Sequence, residues 1–567
     1  MLGLTLCPCP KKFGLPGLCL HLLIFLTLEK MKEILFSVLL LCYSLSLISQ
    51  NENFNIILEP TNVPGLPGLQ SYAFGQHGGK WLLIGGRIDG LHRRQPFAAF
   101  APAGRNSNLF VVDPKSKQLW TASLSALAPA IQEQLASTNM QFHQDGDRLY
   151  LTGGYAFSAL SNDFVTFDRL IAIDVPGAIN AIVGNSTLVP YFRQISDPAF
   201  EVTGGRMAKI YDTYYLVGGQ KFEGAYNPMG PNHGPGFVQK YTEQIRRFRI
   251  DDNGQTITIQ HLPTHTDPEQ LHRRDYNVVA QVMPNGEEGL TAFSGVFQKT
   301  ADFPYLNCVN IDSAGYAPVP GFNQYYNHYH CPSIPLYSAA QNAMHTLFFG
   351  GIAQFYDSLG TLVQDNNVPF VRTIARITRQ ADGAMLEYKM PVEMPSLLGA
   401  GAEFIAEEGL PIWPNGVIQY DELPNDTVLL GHIFGGIAST ARNIFWVNSG
   451  TESSADNRLF RVYLSKNTAT SVHSLNQQSK GTLGLQVFPN PSKGSIGVKF
   501  QLETVTPVQF IVVNKTGQIL INETLEHLNP GENIVTHILP NMTIGAAYFV
   551  TIKIPGEQAT LKVIAQE

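Results

Sequence analysis

Between Lys80 and Trp120 the chain reads KWLLIGG (80–86), then a polar loop, then NLFVVD (108–113) and KQLW (117–120). An apolar strand that stops at a glycine pair, a strand that ends in Asp and a further strand carrying Trp make one unit of four-stranded antiparallel sheet. The unit returns along the chain. In the same register stand DRLYLTGG ending at Gly154, TYYLVGG at Gly219, GLTAFSG at Gly295, HTLFFGG at Gly351 and LLGHIFGG at Gly436. That makes six copies, one of which has Ser294 where the others have their first glycine.

A small antiparallel sheet cannot bury both of its faces alone, so repeated copies must stack on one another. Closing the stack into a ring gives a β-propeller. The pattern resembles the kelch repeat, in which an apolar strand runs into Gly-Gly and is followed by a strand ending near Asp and then by a Trp. The first copy keeps Gly85, Gly86, Asp113 and Trp120. Gly153 and Gly154, Gly218 and Gly219, Gly295, Gly350 and Gly351, and Gly435 and Gly436 repeat the glycine position, while other apolar residues replace the Trp. A strand that turns sharply where backbones crowd calls for residues without a Cβ. The competing arrangement, a β-sandwich with Gly-rich turns, gives no reason for those turns to follow equivalent strands.

At the N-terminal end, Met31 opens MKEILFSVLLLCYSLSLISQ (31–50), a short basic start, an apolar run and small polar residues. This is the layout of a secretory signal peptide over 31–49 within a leader region 1–50, in which residues 1–30 are either a gene-model extension, the favoured reading, or part of a longer leader. Leu41 before Cys42 is too bulky for a lipoprotein signal. No later segment has the uninterrupted apolar length of a membrane span. Cys7, Cys9, Cys19 and Cys42 fall in the leader, which leaves Cys308 and Cys331 as a possible disulfide of an exported chain. The net charge of -7 argues against a nucleic-acid partner.

From Asn51, NENFNIILEP offers a strand at Phe54 to Leu58 that closes the ring from the chain start. Six innermost strands are expected to line a central channel. Arg273, Arg274, Asp275 and Tyr276 in the fourth repeat, His328, Tyr329 and His330 in the fifth and Glu403 in the sixth gather ionisable and aromatic groups at corresponding places, which suits a ligand site. The plainer alternative has Arg-Asp pairs that only tie repeats together. The loops after the glycine pairs form a second candidate surface, with Arg87, His92, Arg93 and Arg94 able to hold an acidic group such as a uronate.

Enzyme motifs are sparse: the chain has no Walker loop, HExxH or Gly-x-Ser-x-Gly elbow. If His328 and His330 lie on one strand, they share a face and could chelate a metal. With Cys331 nearby, the stretch is loosely similar to the copper sites of galactose-oxidase-like propellers. It departs from them in having six repeats rather than seven and no second Tyr to place. Nothing calls for a cofactor. Asp275 and Glu403 could supply the carboxylate pair of a glycosidase.

After NRLFRVYLSKNTATSVHSL the chain changes character at a polar linker, 475–484, and 485–567 alternates apolar residues with turn signals, as a compact β-sandwich does. Phe488-Pro489-Asn490-Pro491, Asn514-Lys515-Thr516-Gly517-Gln518 and Gly545 to Tyr548 resemble the C-terminal sorting domain of the type IX secretion system of Bacteroidetes-type bacteria. An extra Ala separates Gly545 from Tyr548. The resemblance implies export across the outer membrane, with 485–567 engaging the secretion machinery. The expected organisation is therefore all-β: a leader, a six-bladed kelch-like propeller over 51–474, and a sorting β-sandwich. Its function is to bind an extracellular glycan or protein; the alternative is a secreted carbohydrate-active enzyme with its site in the channel.

Overall fold

A computed structural model of the chain describes residues 54–466 and 483–566, apart from 96–97, 228–236, 359–360, 491, 515–518, 527, 539–545 and 556. The leader, residues 475–482 of the linker, Pro491, the turn at 515–518 and Gly545 lie outside the described residues. The chain divides into two compact units, Met1–Thr468 and Ala469–Glu567.

In the first unit every glycine-ended segment is the second strand of an antiparallel path of four strands, to which the fifth sheet adds Ile418–Gln419, parallel to its first strand, and the sixth adds Ser453–Ala455 beside its second. The first sheet runs Ala73–His77, Lys80–Ile84, Asn108–Asp113, Gln118–Ser123; the second, Gln141–Asp145, Arg148–Thr152, Arg169–Asp174, Phe192–Ser196. The third runs Arg206–Ile210, Thr213–Val217, Gln244–Asp252, Ile257–Thr266; the fourth, Asn277–Val282, Glu288–Phe293, Val309–Ile311, Tyr316–Pro318. The fifth runs Ser333–Ser338, Ala343–Phe349, Thr373–Arg379, Met385–Glu393. The sixth takes Ala400–Ala406, Thr427–Ser439 and Leu459–Lys466 from the end of the unit and completes itself with Phe54–Thr61 from its beginning, paired antiparallel from Phe54↔Lys466 to Thr61↔Leu459.

Second strands such as Thr213–Val217 and Ala343–Phe349 are buried along their whole length because another sheet packs on each face. The outermost strand Ile257–Thr266 is mostly exposed. Apolar clusters join the first sheet to the second through Leu82, Val111, Leu151 and Ile173, and the second to the third through Leu170 and Leu216. Others join the third to the fourth through Val217 and Leu290, the fourth to the fifth through Phe293 and Phe348, and the fifth to the sixth through Leu347 and Phe460. Phe434 and Ile405 then pack on Trp81 and Leu83, so the sixth sheet returns to the first. The arrangement is propeller-like.

Hydrogen bonds close the same cycle. The Ser71 N–H donates to Gly401 O, Gly401 to His330, His330 to Asp275, Asp275 to Gly204, Gly204 to Asn139 and Asn139 back to Ser71, at 2.7–3.2 Å. Each sheet contributes one residue, placed just ahead of its first strand in five of them and, as Gly401, at the start of Ala400–Ala406 in the sixth. Five of the six, all but His330, hold a positive φ between 50° and 68°, a conformation that interrupts strand pairing. For that reason the innermost strands begin later than the sequence suggests, and Arg273 to Tyr276 and His328 to His330 lie in lead-in turns rather than on strands.

Smaller repeated features carry the same register. Asp113, Asp252, Asp312 and Asp382 each accept the backbone N–H two residues on, at 2.8–3.0 Å, and so close the turn into the fourth strand. Gly153 has φ +63°, and a Cβ there would overlap the Val202 carbonyl oxygen of the third sheet's lead-in. Gly78 has a similar φ, +59°, with nothing within 4 Å. Gly153→Ala is therefore expected to destabilise the fold by about 2–4 kcal/mol and Gly78→Ala by about 1 kcal/mol in urea unfolding. Equal losses would show that crowding between sheets is not what the pair answers. Ser294 tolerates φ 51° at the same position, where its hydroxyl donates to Tyr305 O at 2.7 Å.

The second unit holds a sheet of Gln486–Phe488, Ser495–Leu502 and Gly531–Ile538 and a sheet of Ile519–Leu525, Val508–Asn514, Ala547–Ile554 and Glu557–Ile564. They share a core that includes Ile496, Val498, Phe500, Phe510, Val512 and Val550. Asn490 explains its place in the Pro-Asn-Pro motif: its amide donates to Lys562 O at 2.6 Å and accepts from Ile564 N at 2.9 Å, tying the entry segment to the final strand. Among the described residues no helix is long and apolar enough to cross a membrane.

Candidate functional site

On the axis of the first unit, above the hydrogen-bonded ring, lies a cavity of about 650 Å³. Its floor is the ring itself, Ser71, Asn139, Asp275, His330 and Gly401, and its walls are the loops that leave the five glycine pairs and Ser294-Gly295. The residues directly after those pairs include Tyr155, Gln220, Ile352 and Ile437, all of which line it. Two of these bonds across a sheet, Thr138↔Tyr155 and Thr203↔Gln220, tie such a residue to the one before the ring position. The lead-in turns and the exit loops, two separate candidate surfaces in the sequence, therefore form one site.

The walls are aromatic with interspersed amides. Phe100, Tyr155, Phe222, Tyr226, Tyr241, Tyr329 and Trp446 line it together with Gln70, Gln220, Gln239, Gln298, Asn366 and Asn367. His92 stacks on Phe100 at 5.2 Å and meets Tyr226 edge-on at 5.1 Å. Burial, reinforced by Arg274 and Arg94 nearby, pushes its imidazole down to about 4, so at neutral pH it is an uncharged donor and acceptor. Arg274 donates to the Tyr241 hydroxyl at 3.0 Å, pairs with Asp275 and lies over the Phe297 ring at 5.1 Å. Arg94 lies over the Trp446 ring at 4.2 Å. Burial raises the Tyr155, Tyr226 and Tyr329 phenols, which stay protonated.

Beneath the floor the channel narrows to about 10 Å³, bounded by Arg206, Asp275, Tyr276, His330 and Glu403. Glu403 Oε1 lies 3.3 Å from Arg206 Nη1 and 2.9 Å from His330 Nε2. Burial alone would raise this carboxyl, but Arg206 and His330 hold it below the usual range.

Several expectations are corrected. Arg87 is spent on Asp89 and on Ala101 O at 3.0 Å inside its own loop. Arg93 is exposed, beside Gly450, and does not line the cavity. Tyr276 is a core residue between the third and fourth sheets, and Arg273, wholly buried, donates to Gln270 O and to Asn307 and lies on the Tyr305 ring at 4.0 Å. His328 is buried with both ring nitrogens engaged, Nε2 on Gln324 O at 2.9 Å and Nδ1 on Gln354 N at 3.1 Å. It does not share a strand face with His330, and among the described residues no three His, Cys, Asp or Glu side chains converge as a metal site. Glu403 lies under the floor, not opposite Asp275 in an open pocket. Cys308 and Cys331 are free thiols in the apolar contact between the fourth and fifth sheets. His92, Arg94, Arg274, Asp275, Tyr329 and His330 do meet in the cavity.

Sequence reasoning missed Tyr155, Tyr226, Tyr241, Gln239 and Trp446. For Tyr155 the available signal was its place directly after a glycine pair, since a register that aligns the pairs also aligns their C-terminal neighbours; the other four follow no such pair.

Residues 486–566 match the family of secretion system C-terminal sorting domains. The protein is exported, to the cell surface or the medium, by the type IX route. No curated protein matches the chain. Among solved structures it is similar to YjhT, with 11% identity and a TM-score of 0.39 over 70% of this chain and 95% of that one. A fungal alcohol oxidase of the AA5 family in complex with copper is similar with 11% identity and a TM-score of 0.35, over 90% and 99%. A family 43 arabinoxylan arabinofuranohydrolase from Bacillus subtilis is similar with 8% identity and a TM-score of 0.28, over 89% and 98%. Likeness at these scores says nothing about the chemistry of this chain.

Proposed function

We propose that this chain is an exported six-bladed kelch-like propeller, over 51–474, that binds a carbohydrate in its axial cavity and is delivered by a detachable β-sandwich tag at 485–567. One observation carries the reading: a cavity of about 650 Å³ whose walls combine aromatic rings with Gln and Asn side chains. The volume suits a unit of one to a few sugars rather than a protein surface. Aromatic faces stack on the C–H face of a pyranose, and neutral amides, each both donor and acceptor, match its hydroxyls. His92 fits the same role because burial keeps it uncharged.

A screen of the mature chain, from Asn51, on a glycan array is expected to return sugars that fail to bind the Tyr226→Ala variant. A reducing-sugar release assay run beside it decides between binding and hydrolysis. Binding without release supports the reading; release by wild type that is lost in Asp275→Asn would replace it with the enzyme alternative.

A further inference from the structure

Resting on that reading, we propose that the sugar carries a carboxylate and that the Arg94 guanidinium receives it. The argument is one of unmatched charge. Arg274 is matched by Asp275 and the Tyr241 hydroxyl, Lys299 by Glu269 at 3.0 Å, and Arg206 by Glu403 below the floor. Among the described residues that line the cavity, Arg94 is the exception. Its Nε is buried without a hydrogen-bond partner, and its guanidinium rests on the face of Trp446. A guanidinium with no anion paired to it in a partly dry site is costly, and an anionic ligand offsets that cost.

The placement favours a carboxylate. The Arg94 and Arg274 charges both bear on His92 and on the Tyr226 phenol, so the two cations flank the same part of the cavity. A guanidinium presents a planar fork of N–H groups that matches the two oxygens of a planar carboxylate. Of the lining carboxylates, Asp275 is paired with Arg274, and Asp302 is exposed and screened by water. The interior of the cavity is thus left one anion short. Trp446, 62% exposed beside Arg94, offers an open ring for the sugar itself.

The test is calorimetry on the mature chain at low salt with digalacturonic acid, N-acetylneuraminic acid, neutral galactobiose and a 6-sulfated galactose. At least one carboxylated sugar is expected to bind about 10-fold or more tighter than galactobiose, and to weaken as salt is raised. In Arg94→Gln that ratio should collapse by about 10- to 100-fold, and Arg94→Lys should not restore it, because an ammonium is a point charge without the fork. Unchanged melting temperatures keep misfolding out of the comparison. Equal binding of neutral and carboxylated sugars, a preference for the sulfated one, or a ratio untouched by Arg94→Gln overturns the carboxylate assignment and leaves the carbohydrate reading standing. Binding of no sugar at all overturns the reading beneath it.

Discussion

Urea unfolding of the mature chain is expected to show a stability maximum near pH 6.5, falling steeply on the acid side and gently on the alkaline side. The acid limb comes from histidines that the fold holds neutral. Burial pushes His92, His143, His328 and His432 down to about 4 and His345 to about 3. Below about pH 6.5 the unfolded chain takes up protons that the folded chain refuses. The stability these groups contribute is full above that pH and is lost as pH falls toward about 4. His328, His345 and His432 are 5% exposed or less, and one such imidazole shifted by about two units removes roughly 3 kcal/mol.

The cause is visible at His328, where Nδ1 must accept the Gln354 N–H; a proton there would set donor against donor. Glu387 works in the other direction. Burial raises its carboxyl to about 8 although two backbone N–H groups, of Tyr325 and Tyr326, oppose the shift. Its contribution is full below the ordinary carboxylate range and is lost as pH rises through about 8. Several imidazoles outweigh one carboxyl on the acid side, and on the alkaline side the carboxyl acts alone among these groups. Glu387→Gln should flatten the alkaline limb and steepen the acid limb, where the carboxyl opposes the imidazoles. Urea midpoints that stay level from about pH 6.5 to 4.5 would show that these histidines are not held neutral.

The second large effect is at the point where the ring closes. Phe54 is fully buried, 5.6 Å from the rings of both His345 and Tyr420, in the core between the fifth and sixth sheets. Phe54→Ala is expected to cost about 3–5 kcal/mol. The loss goes beyond a cavity, because a frayed Phe54–Thr61 leaves the Leu459–Lys466 edge open to pair with other chains. Concentration-dependent aggregation on heating should accompany the lowered urea midpoint. Ile57→Ala, on the same strand but 46% exposed, should cost about 0.5 kcal/mol or less. Equal small losses at both positions would mean that the ring holds shut without its first strand.

How much of this was legible in the sequence varies with the physics of each element. The glycine pairs could be read because the crowding that demands them recurs at the same point in every sheet, and the closing strand because Phe54 to Leu58 alternates before a turn. The floor of the cavity was half legible. Arg274, Asp275, Tyr329 and His330 stood out as polar groups in an apolar context, but two-residue alternation put His328 beside His330, and alternation fails in a lead-in turn where Asp275 and Asn327 take positive φ. Arg273 and Tyr276 look like site residues in the chain and are core because two sheets meet over them. Glu403 was placed on the right strand and on the wrong side of the floor. Trp446 lay in a loop with no repeat signal of its own, and only the fold brings it to Arg94.

The most direct measurement of the central claim, that the axial cavity is where the sugar binds, uses Trp446 as a reporter. Of the four tryptophans, Trp81 is buried in the contact between the sixth and first sheets, while Trp446 stands at the cavity wall. Titrating the tightest-binding sugar from the array into the mature chain should give a saturable change in tryptophan emission, and Trp446→Phe should abolish it. A change of the same size in Trp446→Phe would place the sugar elsewhere on the molecule and contradict the account.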